Sequence, residues 1–137
     1  MTPTLLYRIA SVLFILFALG HTFGFLKFNP PTPEGRAVRE SMDKVTFQVK
    51  GATFSFGRFY VGFGLSITAY LLFSAFLAWH LGGLAASSPA AIGALGWAFF
   101  VLQVACLVLS WMYFSAAPAI FSGAVALCLG WAAWLAR

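Results

Sequence analysis

Few side chains in this sequence could perform chemistry, and His21 is the most suggestive of them. It lies in an apolar stretch, about one helical turn from the end of that stretch. An ionisable side chain inside a membrane is costly, so it marks a functional site unless a neighbouring group satisfies it. Two interpretations follow. His21 is either a structural histidine bonded to a neighbouring segment, or an acid or base acting on a substrate.

Arg58 and Tyr60 open the next apolar stretch, on the side of the membrane where His21 is also expected. An arginine at that position can hold an anionic group. Further polar residues recur at steps of three or four, which places each row on one helix face. One row is Gln103, Cys106, Ser110 and Tyr113, and the other is Ser66, Tyr70 and Ser74.

Such rows have two uses in membrane proteins: they bond helices to each other, or they line a cavity for an amphipathic ligand. Both uses stay open for this sequence. His21 is the candidate catalytic residue. The candidate ligand-binding residues are His21, Arg58, Tyr60, Gln103, Ser110 and Tyr113.

The sequence argues against a metal site and against proton-coupled transport. His21 and His80 are expected at opposite faces of the membrane, and no Cys-x-x-Cys or His-x-x-x-His spacing occurs. We therefore expect no metal site and no cofactor, with a haem held by a single histidine as the one redox alternative left open. All three acidic residues lie between positions 27 and 57, so no apolar segment carries an acid for proton-coupled transport.

These residues must be positioned by membrane-spanning helices. The run from Phe59 to Ala136 contains no Asp, Glu, Lys or Arg, and 62% of the chain is hydrophobic, which is typical of an integral membrane protein. We predict spans at about 4–26, 58–81, 91–114 and 118–136, in one transmembrane domain covering 1–137. Short second and third connections favour an all-α, antiparallel four-helix bundle. The first span also resembles a signal peptide, but the basic character before it is weak.

The first connection, 27–57, carries most of the polar residues. Thr32 and Pro33 suit the start of a helix, as an N-cap followed by a first-turn proline. From Glu34 to about Val49 we predict an amphipathic helix at the membrane interface, followed by a turn over 51–57. Alternation between 45 and 49 also suits a short extended piece. The expected apolar stripe is Val38, Met42, Val45 and Val49, and the expected ion pairs are Arg36–Glu40, Arg39–Asp43 and Glu40–Lys44.

Charge and aromatic residues give an orientation. Six of the eight basic residues lie between 27 and 58, so the positive-inside rule predicts a cytoplasmic first connection with both termini outside. A basic patch next to a bilayer indicates either an orientation signal or contact with anionic lipid, and we expect no nucleic-acid partner despite the net charge of +5. Two aromatic belts are predicted: Tyr7, Trp79, Trp97, Trp131 and Trp134 at one face, and Tyr60, Trp111 and Tyr113 at the other.

Three segments carry a family resemblance. The residues from Arg8 to Ala10 and from Phe17 to Gly24, together with the run from Arg58 to Leu65, resemble small bacterial four-helix membrane proteins without an assigned function. The resemblance covers the first two spans well and the alanine-rich second half poorly. It implies a protein of the bacterial inner membrane and brings no activity with it.

The shortage of acid and base groups favours a non-enzymatic function. We expect a small membrane protein that binds a lipidic or amphipathic ligand, or that serves as an accessory subunit of a larger membrane complex. Its expected partners are membrane lipids, a lipidic small molecule, and further copies or other subunits. The alternative is a membrane-embedded enzyme acting on a lipid or quinone-like substrate, with His21 as acid or base.

Overall fold

The computed structural model describes all 137 residues and contains five α-helices and one β-hairpin. Four of the helices are long and apolar enough to cross a membrane. This confirms the predicted set of four apolar helices, whereas the antiparallel bundle and insertion into a membrane stay predictions. In chain order the elements are α1 (Pro3–Lys27), α2 (Pro33–Lys44), β1 (Thr46–Val49), β2 (Ala52–Ser55), α3 (Phe56–Ser87), a 3-10 turn (Pro89–Ala91), α4 (Gly93–Tyr113) and α5 (Ala116–Leu135).

Helix α3 runs past its predicted end. We expected a link from residue 82, but the helix continues to Ser87 and reaches 32 residues, or about 48 Å. The glycine at 82 permits a close approach instead of a turn. A Cβ there would lie 3.2 Å from Arg8 Nε and 3.4 Å from the Thr4 carbonyl oxygen, so Gly82 lets α1 pass closely.

The first connection contains a β-hairpin where the sequence predicted the end of a helix and a turn. Helix α2 ends at Lys44, and the following residues form a β-hairpin in which Thr46 pairs with Ser55 and Val49 with Ala52. Lys50 and Gly51 both have positive φ, 49° and 82°, as a two-residue type I′ turn requires. The predicted helix was therefore too long, and the alternation from 45 to 49 identified the strand correctly.

Helix α2 begins as predicted but packs differently. The Gly35 amide donates to Thr32 Oγ1 over 3.1 Å, which confirms the N-cap. Of the three expected ion pairs only Glu40–Lys44 forms. Arg36 donates instead to the carbonyl oxygens of Pro30 and Pro31, at 3.3 and 2.9 Å.

The apolar stripe of the connection has no protein partner over most of its length. Val38 is 61% exposed, and Val45 and Val49 are about half exposed. Helix α2 contacts α3 through charged residues: the Arg39 guanidinium lies over the Tyr60 ring, and the Asp43 carboxylate packs against Gly57. An outward apolar edge beside a basic segment supports the interfacial location of α2, which stays a prediction.

The chain divides into two compact parts, Ala18–Tyr70 and Met1–Phe17 with Leu71–Arg137. The part formed by Met1–Phe17 and Leu71–Arg137 has the larger apolar core. Small residues on its helices permit close packing, and Ser11 Oγ donates to the Ala75 carbonyl oxygen over 2.8 Å. Its largest fully buried apolar side chains are Tyr7, Phe14, Leu81, Leu129 and Val125.

Tyr7 was expected in an aromatic belt, and this expectation is wrong. Its side chain is 0% exposed. A Cβ on Gly96 would lie 2.8 Å from the Tyr7 hydroxyl oxygen, so the absence of a side chain at Gly96 makes room for the phenol. Trp79, by contrast, is exposed and lies beneath the Arg8 guanidinium, whose carbon is 3.3 Å from the ring centroid.

Candidate functional site

His21 forms a hydrogen bond between α1 and α3. Its Nε2 lies 3.1 Å from the Gly64 carbonyl oxygen. Because a carbonyl oxygen can only accept, Nε2 is the protonated nitrogen, and this partner assigns the tautomer. The ring also packs on Phe25, with 5.0 Å between ring centroids. This arrangement is what the structural interpretation of His21 requires.

Two threonines extend the polar contact around Gly64. Thr22 Oγ1 lies 2.7 Å from the Ala18 carbonyl oxygen and 2.8 Å from Thr68 Oγ1, which is itself 3.2 Å from the Gly64 carbonyl oxygen. Two hydroxyl groups carry two protons, so two of these three contacts are hydrogen bonds at any moment. Together with His21 they join the second half of α1 to the first half of α3.

An aromatic path continues from His21 to α2. A Cβ on Gly64 would lie 2.5 Å from Phe25 Cε2, so the ring rests directly on the glycine. Phe25 is 9% exposed and meets Tyr60 edge to face, with 6.3 Å between centroids. The Arg39 guanidinium lies 4.9 Å from the Tyr60 centroid. The structure thus connects His21 to Tyr60 through Phe25, as a packed path.

Arg58 lies at a separate feature, a groove of about 360 Å³ on the outer face of α3. Most of its residues recur at helical spacing, so they share one face. Gly62 leaves the groove open, because a Cβ there would meet no atom within 4 Å. His21 does not line it. The lining residues are Phe54, Arg58, Phe59, Gly62, Phe63 and Ser66.

The start of α3 fixes the position of Arg58. The Arg58 amide donates to Ser55 Oγ over 3.2 Å, and this contact caps the helix. The Arg58 side chain is exposed, with its guanidinium carbon 5.6 Å from the Phe54 centroid. A Cβ on Gly57 would lie 3.0 Å from Asp43 Cγ. The acidic side chain at this helix end is therefore seated on Gly57, and Arg58 has no ion pair.

The three candidates on α4 lie in the other compact part. Gln103 is buried and its Nε2 donates to the Ser122 carbonyl oxygen of α5 over 3.4 Å, so it bonds two helices. Ser110 is buried, whereas Tyr113 is 70% exposed. No side-chain hydrogen bond joins these three residues to each other.

Sequence reasoning missed Gly62 as a groove residue, although its spacing from Arg58 places it on the same face of α3; Ser66 was named only as part of a polar row with Tyr70 and Ser74, which do not line the groove. It also missed Gly64, because a backbone carbonyl has no sequence signature.

Nowhere do three or more His, Cys, Asp or Glu side chains converge as metal ligands would. Comparisons with models of known protein families, with curated proteins and with solved structures find no match.

Proposed function

We propose that this chain is a small multi-pass membrane protein that binds one lipidic, amphipathic ligand in the groove beside Arg58. The groove itself is the observation that carries the proposal. Its volume of about 360 Å³ is within the range of small-molecule sites. Three phenylalanine rings and one cation line it, and this combination of apolar wall and single charge suits a ligand with an apolar chain and a polar head.

The dimensions of the groove support a chain-like ligand. From Arg58 to Ser66 it follows α3 for eight residues, or about 12 Å. An apolar chain lying along the helix would contact Phe59 and Phe63 and pass over Gly62. The polar head would then remain near Arg58, at the end of the helix next to the basic connection.

The hairpin holds the aromatic wall of the groove in place. The Phe47 ring of β1 packs on three other rings, with centroid distances of 6.2 Å to Phe54, 4.9 Å to Phe56 and 6.1 Å to Phe59. Phe54 and Phe59 both line the groove. Side chains already packed by neighbours lose less conformational entropy when a ligand binds, so this cluster favours a preformed site.

We place the protein in the bacterial inner membrane as an antiparallel four-helix bundle, with the first connection cytoplasmic and both termini outside. The four apolar helices and the resemblance of the first two spans support the location, and the basic residues of the connection support the orientation. Membrane lipids are the proposed partners. The accessory-subunit, oligomer and enzyme hypotheses stay predictions, since no observed geometry favours one of them.

Photocrosslinking in native membranes tests the groove. Cells producing the protein would be fed a fatty acid with a mid-chain diazirine, which enters all membrane lipids, and then illuminated. We expect lipid-modified peptides to be concentrated between residues 54 and 66, because a held chain stays there longer than a passing one. An even distribution over the outward faces of all four apolar helices would contradict the proposal.

A matched pair of variants separates the groove from lipid contact in general. Gly62→Leu places a side chain in the open groove, and Gly83→Leu adds the same side chain to the same helix at another position with no atom within 4 Å. We expect Gly62→Leu to reduce crosslinking at 54–66 several-fold and Gly83→Leu to leave it unchanged. Equal effects of the two variants would contradict a site at Gly62.

A further inference from the structure

We infer that the ligand of the groove is an anionic amphipath whose headgroup oxyanion is bound by Arg58. This inference rests on the proposed function, since it names the chemical class of the ligand held there. It goes further because it requires a net negative charge on that ligand. The observation behind it is that the chain leaves the one cation of the groove without a partner.

No acidic residue of the first connection forms an ion pair with Arg58. Lys44 pairs with Glu40, which is the only ion pair of the chain. Asp43 is seated against Gly57, and Glu34 lies in the first turn of α2, where a carboxylate is favoured by the helix dipole. None of the three acids of the sequence therefore neutralises the Arg58 guanidinium through an ion pair, and the guanidinium donates no hydrogen bond within the protein.

The surroundings of Arg58 favour an oxyanion over other ligands. A guanidinium offers five donors in a planar fork that matches carboxylate and phosphate oxygens two at a time. Here the fork lies over the Phe54 ring and lines the same groove as Phe59 and Phe63, so a bound oxyanion would have apolar rings beside it for its acyl chain. A headgroup without an oxyanion would leave these donors to water, and a zwitterionic headgroup would bring a second cation next to Arg58.

The start of α3 does not offer a competing anion site. Helix N-termini attract anions through free amides and the helix dipole. In this protein Ser55 Oγ already accepts from the Arg58 amide, and the Asp43 carboxylate is packed at Gly57. Arg58 lies in this same first turn and its guanidinium has no ion pair, so an incoming anion would bind at the side chain of Arg58 and not at the helix amides.

Two natural sources supply this chemistry: the phosphodiester of an anionic phospholipid and the carboxylate of a free fatty acid. Both join an oxyanion to an acyl chain. Phosphatidylcholine has the same chains and phosphate but carries a compensating cation, so it is the control ligand. We expect the groove to prefer phosphatidylglycerol or oleate over phosphatidylcholine by at least about tenfold.

The test is native mass spectrometry of the purified full chain in detergent, titrated with these three probes and read for bound mass and stoichiometry. Wild-type protein is expected to bind one anionic probe tightly. Arg58→Gln should reduce the preference over phosphatidylcholine to about twofold or less, and Arg58→Lys should retain part of it because the charge remains. The control Lys50→Gln removes an exposed cation at the hairpin turn and should change nothing.

The outcomes separate this inference from the proposed function. If Gly62→Leu abolishes binding but all three probes bind wild type equally, the groove stands and the anionic class is overturned. An anionic preference that survives Arg58→Gln also overturns the inference. If no bound probe is lost in Gly62→Leu, both proposals fail. Tighter binding of phosphatidylglycerol or of oleate supports the inference either way and identifies the source of the oxyanion.

Discussion

The contact between Phe25 and Gly64 makes a sharp prediction for Gly64→Ala. A Cβ at position 64 would lie 2.5, 2.7 and 2.8 Å from three carbons of the Phe25 ring. Real carbon atoms do not approach so closely, so the ring or the helix must move. Phe25 has little freedom to do so, because it is held between His21, at 5.0 Å, and Tyr60, at 6.3 Å.

The magnitude follows from two opposing effects. Forcing an extra carbon into a packed site typically costs about 1–3 kcal/mol. Replacing glycine by alanine within a helix stabilises it by up to about 1 kcal/mol. Gly62→Ala is the matched control, because it lies two residues earlier on α3 and its Cβ would meet no atom within 4 Å. Both variants gain the same stabilisation from replacing a helical glycine by alanine. We therefore expect the free energy of unfolding of Gly64→Ala to be lower than that of Gly62→Ala by about 1–3 kcal/mol.

Equilibrium unfolding in mixed micelles, followed by far-ultraviolet circular dichroism, measures this difference. The further change Phe25→Leu should recover much of the loss in the Gly64→Ala background, since the smaller side chain vacates the space that the new Cβ needs. Equal stabilities of Gly64→Ala and Gly62→Ala would refute the packing described here. So would a loss in Gly64→Ala that Phe25→Leu does not relieve.

Three further predictions concern single contacts. Gly57→Ala should displace the Asp43 carboxylate, whose Cγ would be 3.0 Å from the new Cβ, and should speed amide hydrogen exchange in α2; unchanged exchange would contradict that contact. Thr22→Val and Thr68→Val should show a coupling of about 0.6 kcal/mol in a double-mutant cycle, and additive effects would show that the two hydroxyls do not interact. Ser11→Ala should lower the free energy of unfolding by about 0.5–1.5 kcal/mol through loss of its bond to a carbonyl of α3, and a neutral effect would argue against that bond.

Composition was sufficient to predict the long apolar helices, because a run of about 20 apolar residues with few charges is a strong sequence signal. The start of α2 was also predictable, since Thr32 and Pro33 have well-defined roles at a helix end. The hairpin was harder. Its turn uses Lys50 with positive φ, whereas the strongest turn signals are Asn-Gly and Asp-Gly. The short apolar alternation before it fits both a strand and the end of an amphipathic helix.

The candidate site shows the limit of reasoning from residue type. Polar side chains such as His21 and Gln103 were identified from sequence, but both bond to backbone carbonyl oxygens, which any residue can supply. Gly62 and Gly64 differ by two positions on one helix. One leaves an open groove and the other supports an aromatic ring, and only the neighbouring helix decides which. Such roles depend on three-dimensional packing.

Native mass spectrometry of the protein released from its own membrane with the surrounding lipid shows directly whether the groove beside Arg58 holds a lipid. We expect one bound lipid of defined mass per chain in wild type and in Gly83→Leu, and its loss in Gly62→Leu. A wild-type chain released without bound lipid, or an adduct that Gly62→Leu leaves in place, would contradict a lipid-binding groove beside Arg58.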